Sequence, residues 1–166
     1  QFTHHDEQVQ VLVGSLFVGY GLLDEAERIF HDLLEYTTES KTRELIWYNL
    51  AELYYKRGNF SKSIDLLDTH FKVPSDNIHT QVSLLYALNL LAENKLELAL
   101  EHLKRIKDTQ NLSSYAYLNL GSVHSLLDQP QQAEQYFTEL LRLRGKNNYV
   151  KGIKDRAALA LGKHYL

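Results

Sequence analysis

The chain has 166 residues, 44% of them hydrophobic, enough to bury a sizeable core as one domain or one short array. Eighteen basic against 21 acidic residues leave a formal charge of −3, which gives no whole-chain case for nucleic acid or for an anionic membrane surface. The absence of cysteine excludes disulfides, thiolate zinc sites and a thiol nucleophile, while leaving open whether a soluble chain of this kind is cytoplasmic or periplasmic.

From Glu7 to about Gly21 the periodicity predicts a first helix, and from Asp24 to about Tyr36 a second, with Asp24 as N-cap ahead of Glu25 and Glu27. Thr42 to Arg57 and Ser61 to Phe71 form the next pair across Gly58-Asn59, where glycine takes the left-handed conformation that ends a helix. Pro74-Ser75-Asp76 closes that pair. Ile78 to Glu93 and Glu97 to Ile106 make a third pair across Asn94, and Ser113 to Leu127 with Gln131 to Leu143 a fourth across Asp128-Gln129-Pro130. A last helix runs from about Lys151 to Tyr165. The pairs thus occupy residues 7–40, 44–74, 78–110 and 113–145, and the final helix 151–165 caps the array or starts a fifth pair. Methionine is absent, so Gln1 is not an initiator; we expect a piece of a longer protein that continues past Leu166. Val11 to Leu23 and Leu84 to Ala92 are apolar but too short to span a bilayer, so no membrane span is expected in this segment.

Self-similarity at a fixed spacing is the strongest signal. Trp47, Leu50, Ala51 and Tyr54 follow W-x-x-L-[GA]-x-x-Y, and four other helices repeat it: Gln10, Val13, Gly14 and Phe17; Ser83, Tyr86, Ala87 and Leu90; Tyr117, Leu120, Gly121 and His124; Ala158, Leu161, Gly162 and Tyr165. The small residue recurs at 14, 51, 87, 121 and 162, in steps of 37, 36, 34 and 41. Each second helix carries an echo four residues wide: Ala26 and Phe30, Ser63 and Leu67, Ala99 and Leu103, Ala133 and Phe137. The pattern resembles the tetratricopeptide repeat family over nearly the whole chain. Only one unit has the tryptophan, only Pro74 sits near the usual closing proline, and Ser63 stands where the family has alanine.

The resemblance implies an all-α fold, a right-handed α-α superhelix of antiparallel helix pairs, with the first helix of each pair lining a concave groove that receives a peptide or helix. Carried onto this sequence, the lining is Gln8, Val11, Ser15 and Val18; then Leu45, Tyr48, Glu52 and Tyr55; then Gln81, Leu84, Leu88 and Leu91; then Tyr115, Leu118, Ser122 and Ser125. It is largely apolar. The lysine, arginine and asparagine clamp that some family members use for a C-terminal carboxylate is missing, because Val11 and Ser15 hold its early positions and Asn49 and Asn119 alone do not rebuild it. We therefore expect a non-enzymatic scaffold that binds an amphipathic helix or extended apolar peptide of another polypeptide through Tyr48, Glu52, Tyr55, Leu84, Leu88, Leu91, Tyr115, Leu118 and Ser122. A homodimer through the same helix faces is the alternative.

Motifs for chemistry are sparse, and no cofactor, metal or small-molecule substrate is expected. The eight histidines form no H-E-x-x-H spacing, and His124 holds an aromatic packing position. Glu25, Glu27, Glu97 and Glu101 sit in first turns, where the helix dipole accounts for them. One local charge feature stands out: Arg142, Arg144, Lys146, Lys151, Lys154 and Arg156 are opposed only by Asp155, a segment that suits an acidic partner or polyanion if its cations are free, and an ordinary helix end if they are not.

Overall fold

A computed structural model describes residues 4–71, 77–107, 113–143 and 148–164, with side chains left aside at 4–5, 77–79, 148–150 and 161–164. Among the described residues nine helices follow one another and no strand occurs: α1 (His4–Tyr20), α2 (Leu23–Tyr36), α3 (Ser40–Lys56), α4 (Phe60–His70), α5 (Asn77–Ala92), α6 (Leu96–Ile106), α7 (Ser113–Leu126), α8 (Pro130–Arg142) and α9 (Asn148–His164). The expected closure at Pro74-Ser75-Asp76 lies outside the described residues. The chain divides into two compact units, Gln1–Pro74 with α1–α4 and Ser75–Leu166 with α5–α9. In the first, α1 packs on α2 and α3 on α4, with α3 also against α1 and α2. In the second, α5 packs on α6 and α7 on α8, α6 touches α7, and α9 lies against α8 and α7. These are the antiparallel helix pairs of the expected all-α fold.

All four pairs turn in the same way. A residue of positive φ ends each first helix, namely Gly21 (79°), Gly58 (77°), Asn94 (58°) and Asp128 (56°). At each, the following amide reaches back five residues: Leu22 to the Phe17 carbonyl, Asn59 to Tyr54, Lys95 to Leu90 and Gln129 to His124, at 2.8–2.9 Å. The closed turn satisfies helix-end carbonyls and reverses the chain within two residues. Asn59 then caps α4 by accepting from the Lys62 amide at 3.2 Å. Asp24 does not cap α2: the N-cap position is Leu22, and Asp24, one residue inside the helix, instead pairs with Arg57 of α3.

The small residue of each first helix marks where its second helix presses in. A Cβ built on Gly14 would sit 2.6 Å from the Phe30 ring, and one on Gly121 2.5 Å from the Phe137 ring. Phe30 and Phe137 are fully buried. In the two pairs between, the small residue is Ala51 or Ala87 and the residue sixteen further on is Leu67 or Leu103. Glycine therefore meets phenylalanine and alanine meets leucine, so that each pair fills the same space with a different split of volume. Ser63 also gains a reason, since its buried hydroxyl donates to the Ala51 carbonyl at 2.7 Å, tying α4 to α3.

Candidate protein-binding faces

On α3, Ile46, Asn49, Leu50, Ala51, Leu53 and Tyr54 are buried, and Tyr48, Glu52 and Tyr55 share the opposite, half-buried arc. The Tyr48 hydroxyl is pushed up to about 12, by burial first and by the Glu52 carboxylate second, so it stays a neutral donor at physiological pH. On α5, Val82, Ser83, Leu85, Ala87, Asn89 and Leu90 are buried, leaving Leu84, Leu88 and Leu91 as a half-buried stripe. On α7, Tyr115, Leu118 and Ser122 hold the corresponding arc, half-buried, with the Ser122 hydroxyl donating to the Leu118 carbonyl at 2.9 Å. Leu84 and Leu91 partly pack on the core made by α5, α6 and α7, and Tyr115 and Leu118 on the core that includes Ile153 and Ala157 of α9. Within the second unit, then, the expected residues of α5 and α7 lie half-buried, less covered than the core faces of their helices but more so than Leu126, which is 70% exposed, while Tyr48, Glu52 and Tyr55 belong to the first unit.

The first pair departs from the expected lining. Val11 and Val18 are buried in the core with Phe30, Leu50 and Leu53, and Ser15 donates to Asn49 Oδ1 of α3 at 2.7 Å. The face of α1 that was expected to line a groove is thus the face that meets α3. Its open side is rotated away and carries Val9, Leu12, Val13, Leu16 and Tyr20, which are 47, 61, 36, 51 and 81% exposed.

Other side chains tie the helices together. Glu27 accepts from the Tyr54 hydroxyl and from Arg57, which also reaches Asp24. Burial raises the Glu27 carboxyl, but these hydrogen bonds and the Arg57 charge outweigh it and hold the group below the usual range. This residue therefore does more than complement a helix dipole. Histidine recurs in ring stacks across the pairs: Trp47 with His70 at 3.9 Å and 4°, Tyr86 with His102 at 4.6 Å, and His124 with Tyr136 at 5.2 Å. His124 is buried, as its packing position implied, and its Nδ1 lies 2.6 Å from Gln129 Oε1. Sequence reading missed His70 and His102; their signal is their place in the last turn or two of a second helix, opposite the aromatic of the first.

Two cations of the basic segment are engaged within the chain. Arg142 pairs with Glu139 at 2.9 Å, and Lys154 donates to the Leu141 and Leu143 carbonyls at the end of α8. Lys151 is exposed, and Arg144 and Lys146 lie outside the described residues. Among the described residues no cluster of three or more metal-ligating side chains occurs, and no helix is long and apolar enough to cross a membrane.

Comparison with known proteins adds a family to this geometry. The tetratricopeptide repeat profile matches residues 114–147, the α7–α8 pair with its Gly121–Phe137 contact. The chain carries a tetratricopeptide repeat. No curated protein sequence matches it significantly. Among solved structures it is similar to MamA AMB-1, at 18% identity over 96% of this chain and 91% of that one with a TM-score of 0.64. A second, MamA MSR-1, gives 18% identity over 96% and 88% with a TM-score of 0.63. At that identity the likeness is one of fold, and it covers 96% of this chain. The repeat and the fold together support a protein-interaction scaffold in general.

Proposed function

We propose that the chain is a single scaffold array that holds another polypeptide, and that the arc formed by Leu84, Leu88 and Leu91 of α5 with Tyr115, Leu118 and Ser122 of α7 receives its apolar peptide or amphipathic helix. The observation that supports this reading is that Leu84, Leu88 and Leu91 stay half-buried beside the buried face of α5, as do Tyr115, Leu118 and Ser122 beside that of α7. A helix laid there buries leucine against leucine, and Ser122 and Tyr115 give it a polar border. Tyr48, Glu52 and Tyr55 supply the equivalent arc in the first unit, with a phenol that donates and a carboxylate that accepts. The test is Leu84→Asp with Leu88→Asp, checked by circular dichroism for an intact fold, followed by capture of partners from a lysate. Capture that is lost supports the arc as the site; capture unchanged by both substitutions removes it. The polyanion reading gains nothing from Arg142 and Lys154, whose charges are engaged within the chain.

A further inference from the structure

The arc on α7 has a counterpart on α9. Counted back from the small residue of each first helix, Gln81 and Leu84 stand six and three residues before Ala87, Tyr115 and Leu118 six and three before Gly121, and Arg156 and Leu159 six and three before Gly162. Residues at the same count face the same way on equivalent helices. Burial anchors this register: five residues before the small one, Val82, Ala116 and Ala157 are all buried. The face of α9 that carries Arg156 and Leu159 therefore corresponds to the α5 and α7 arcs.

Contacts around α9 agree. On one flank Lys154 donates to the Leu141 and Leu143 carbonyls at the end of α8. Ile153 and Ala157 come next, in the core, and then Ala160, partly buried against the same cluster as Tyr115 and Leu118. About 40° beyond Ala160 stands Arg156, and about 60° beyond that Leu159. Because α9 packs on α7 as well as on α8, this open flank continues the Tyr115 and Leu118 arc. Leu159 is 68% exposed where Leu118 is half-buried, so apolar surface goes on uncovered. Arg156 is exposed too, and among the described residues no carboxylate pairs with it. Asp155 lies about 40° past Leu159, on the side away from α7, and Lys151 farther round still.

Charge then selects the occupant. The arc residues of α5 and α7 carry no charge, so Arg156 is the first charge that a segment crossing them towards α9 meets. We infer that the site continues onto α9 and takes an apolar segment of another protein that ends in aspartate or glutamate, its apolar side chains over Leu118 and Leu159 and its carboxylate on Arg156. This rests on the α5–α7 arc being the binding site. A basic end is repelled at Arg156, and a wholly apolar one leaves the guanidinium without a partner.

The experiment uses the whole chain and two labelled synthetic helices with the same leucine face, one ending in glutamates and the other in lysines, read by fluorescence anisotropy. The glutamate helix should bind about fivefold tighter at low salt. The gap should close as salt rises and in Arg156→Gln, but persist in Lys151→Gln, whose charge lies on another flank. Leu159→Asp, at an exposed position, should weaken the glutamate helix about tenfold, and Leu88→Asp should weaken both helices. If the two helices bind equally and Leu88→Asp weakens both, the arc stands and its extension to Arg156 falls. If neither binds, or Leu88→Asp spares both, the arc itself falls and the inference with it. A dimer in sedimentation that Arg156→Gln abolishes names a second copy of the chain, and uptake by phosphatidylserine vesicles that Arg156→Gln abolishes names a lipid; either overturns the inference.

Discussion

Gly121 has no room for a side chain, because the Phe137 ring occupies the space its Cβ would take. Gly121→Ala should therefore destabilise despite the better helix propensity of alanine, by about 1–3 kcal/mol, as overpacking in a rigid core does. Phe137→Leu alone leaves a void of similar cost. Combined, they recreate the alanine–leucine match of the two central pairs, so the double variant should lose clearly less than the two single losses added, as read by denaturant melts; simple additivity would refute the volume match. A second residue-scale prediction concerns His70, stacked on Trp47, the sole tryptophan. Burial, and then the Arg43 charge, holds its pKa below the ordinary 6.5. The unfolded chain thus binds this proton more readily than the folded one. Its contribution is fully present above about 6.5 and is lost as pH falls through the lower folded value. Tryptophan fluorescence melts should show the native protein losing stability relative to His70→Phe between pH 7.5 and 5, since phenylalanine keeps the ring but not the titration.

At the level of the helix, the turns carry a prediction of their own. Asp128 holds φ 56° where Gly58 holds 77°, and a left-handed conformation costs a non-glycine residue about 1–2 kcal/mol, part of which glycine returns through its freer unfolded chain. The Asp128 carboxylate also sits at the negative end of α7. Asp128→Gly should raise stability by about 0.5–1 kcal/mol and Gly58→Ala should lower it by about 1 kcal/mol; a thermal shift of opposite sign in either would count against the shared turn. These turns were legible in the sequence because Gly, Asn and Asp announce them. The second helices were legible too: α2, α4, α6 and α8 alternate apolar and charged residues, so Ala26 and Phe30 or Ala133 and Phe137 could be placed in the core from spacing alone. The first helices were harder. Packed on more than one side, α1, α5 and α7 carry few charges to mark a solvent face, and that is why Val11 and Val18, assigned to a groove, lie in the core while Leu12 and Leu16 lie outside it. Glu27 and Asp24 were misjudged for a different reason. Their partners Tyr54 and Arg57 are some thirty residues away, beyond the reach of any rule about a single helix.

At the scale of the whole molecule, each buried cluster among the described residues lies within one of the two units. The core of Phe30, Leu33, Ile46, Leu50 and Leu53 belongs to α1–α3, while the cores around Leu103 and Leu120 and around Phe137 and Ile153 belong to α5–α9. In an array whose repeats contact mainly their neighbours, a loss in one place spreads only as far as the contacts that share its core. Phe30→Ala removes a fully buried ring and should cost about 3–5 kcal/mol, a large share of what a unit of this size holds. Hydrogen exchange should then show protection collapsing in α1–α4, with α7 and α8 keeping the protection they have in the native chain. Equal loss in both units would mean that they fold as one cooperative body. The same measurement bears on binding, because a ligand of the α5–α7 arc should raise protection in α5 and α7 in proportion to its occupancy and leave the first unit of the variant as it was.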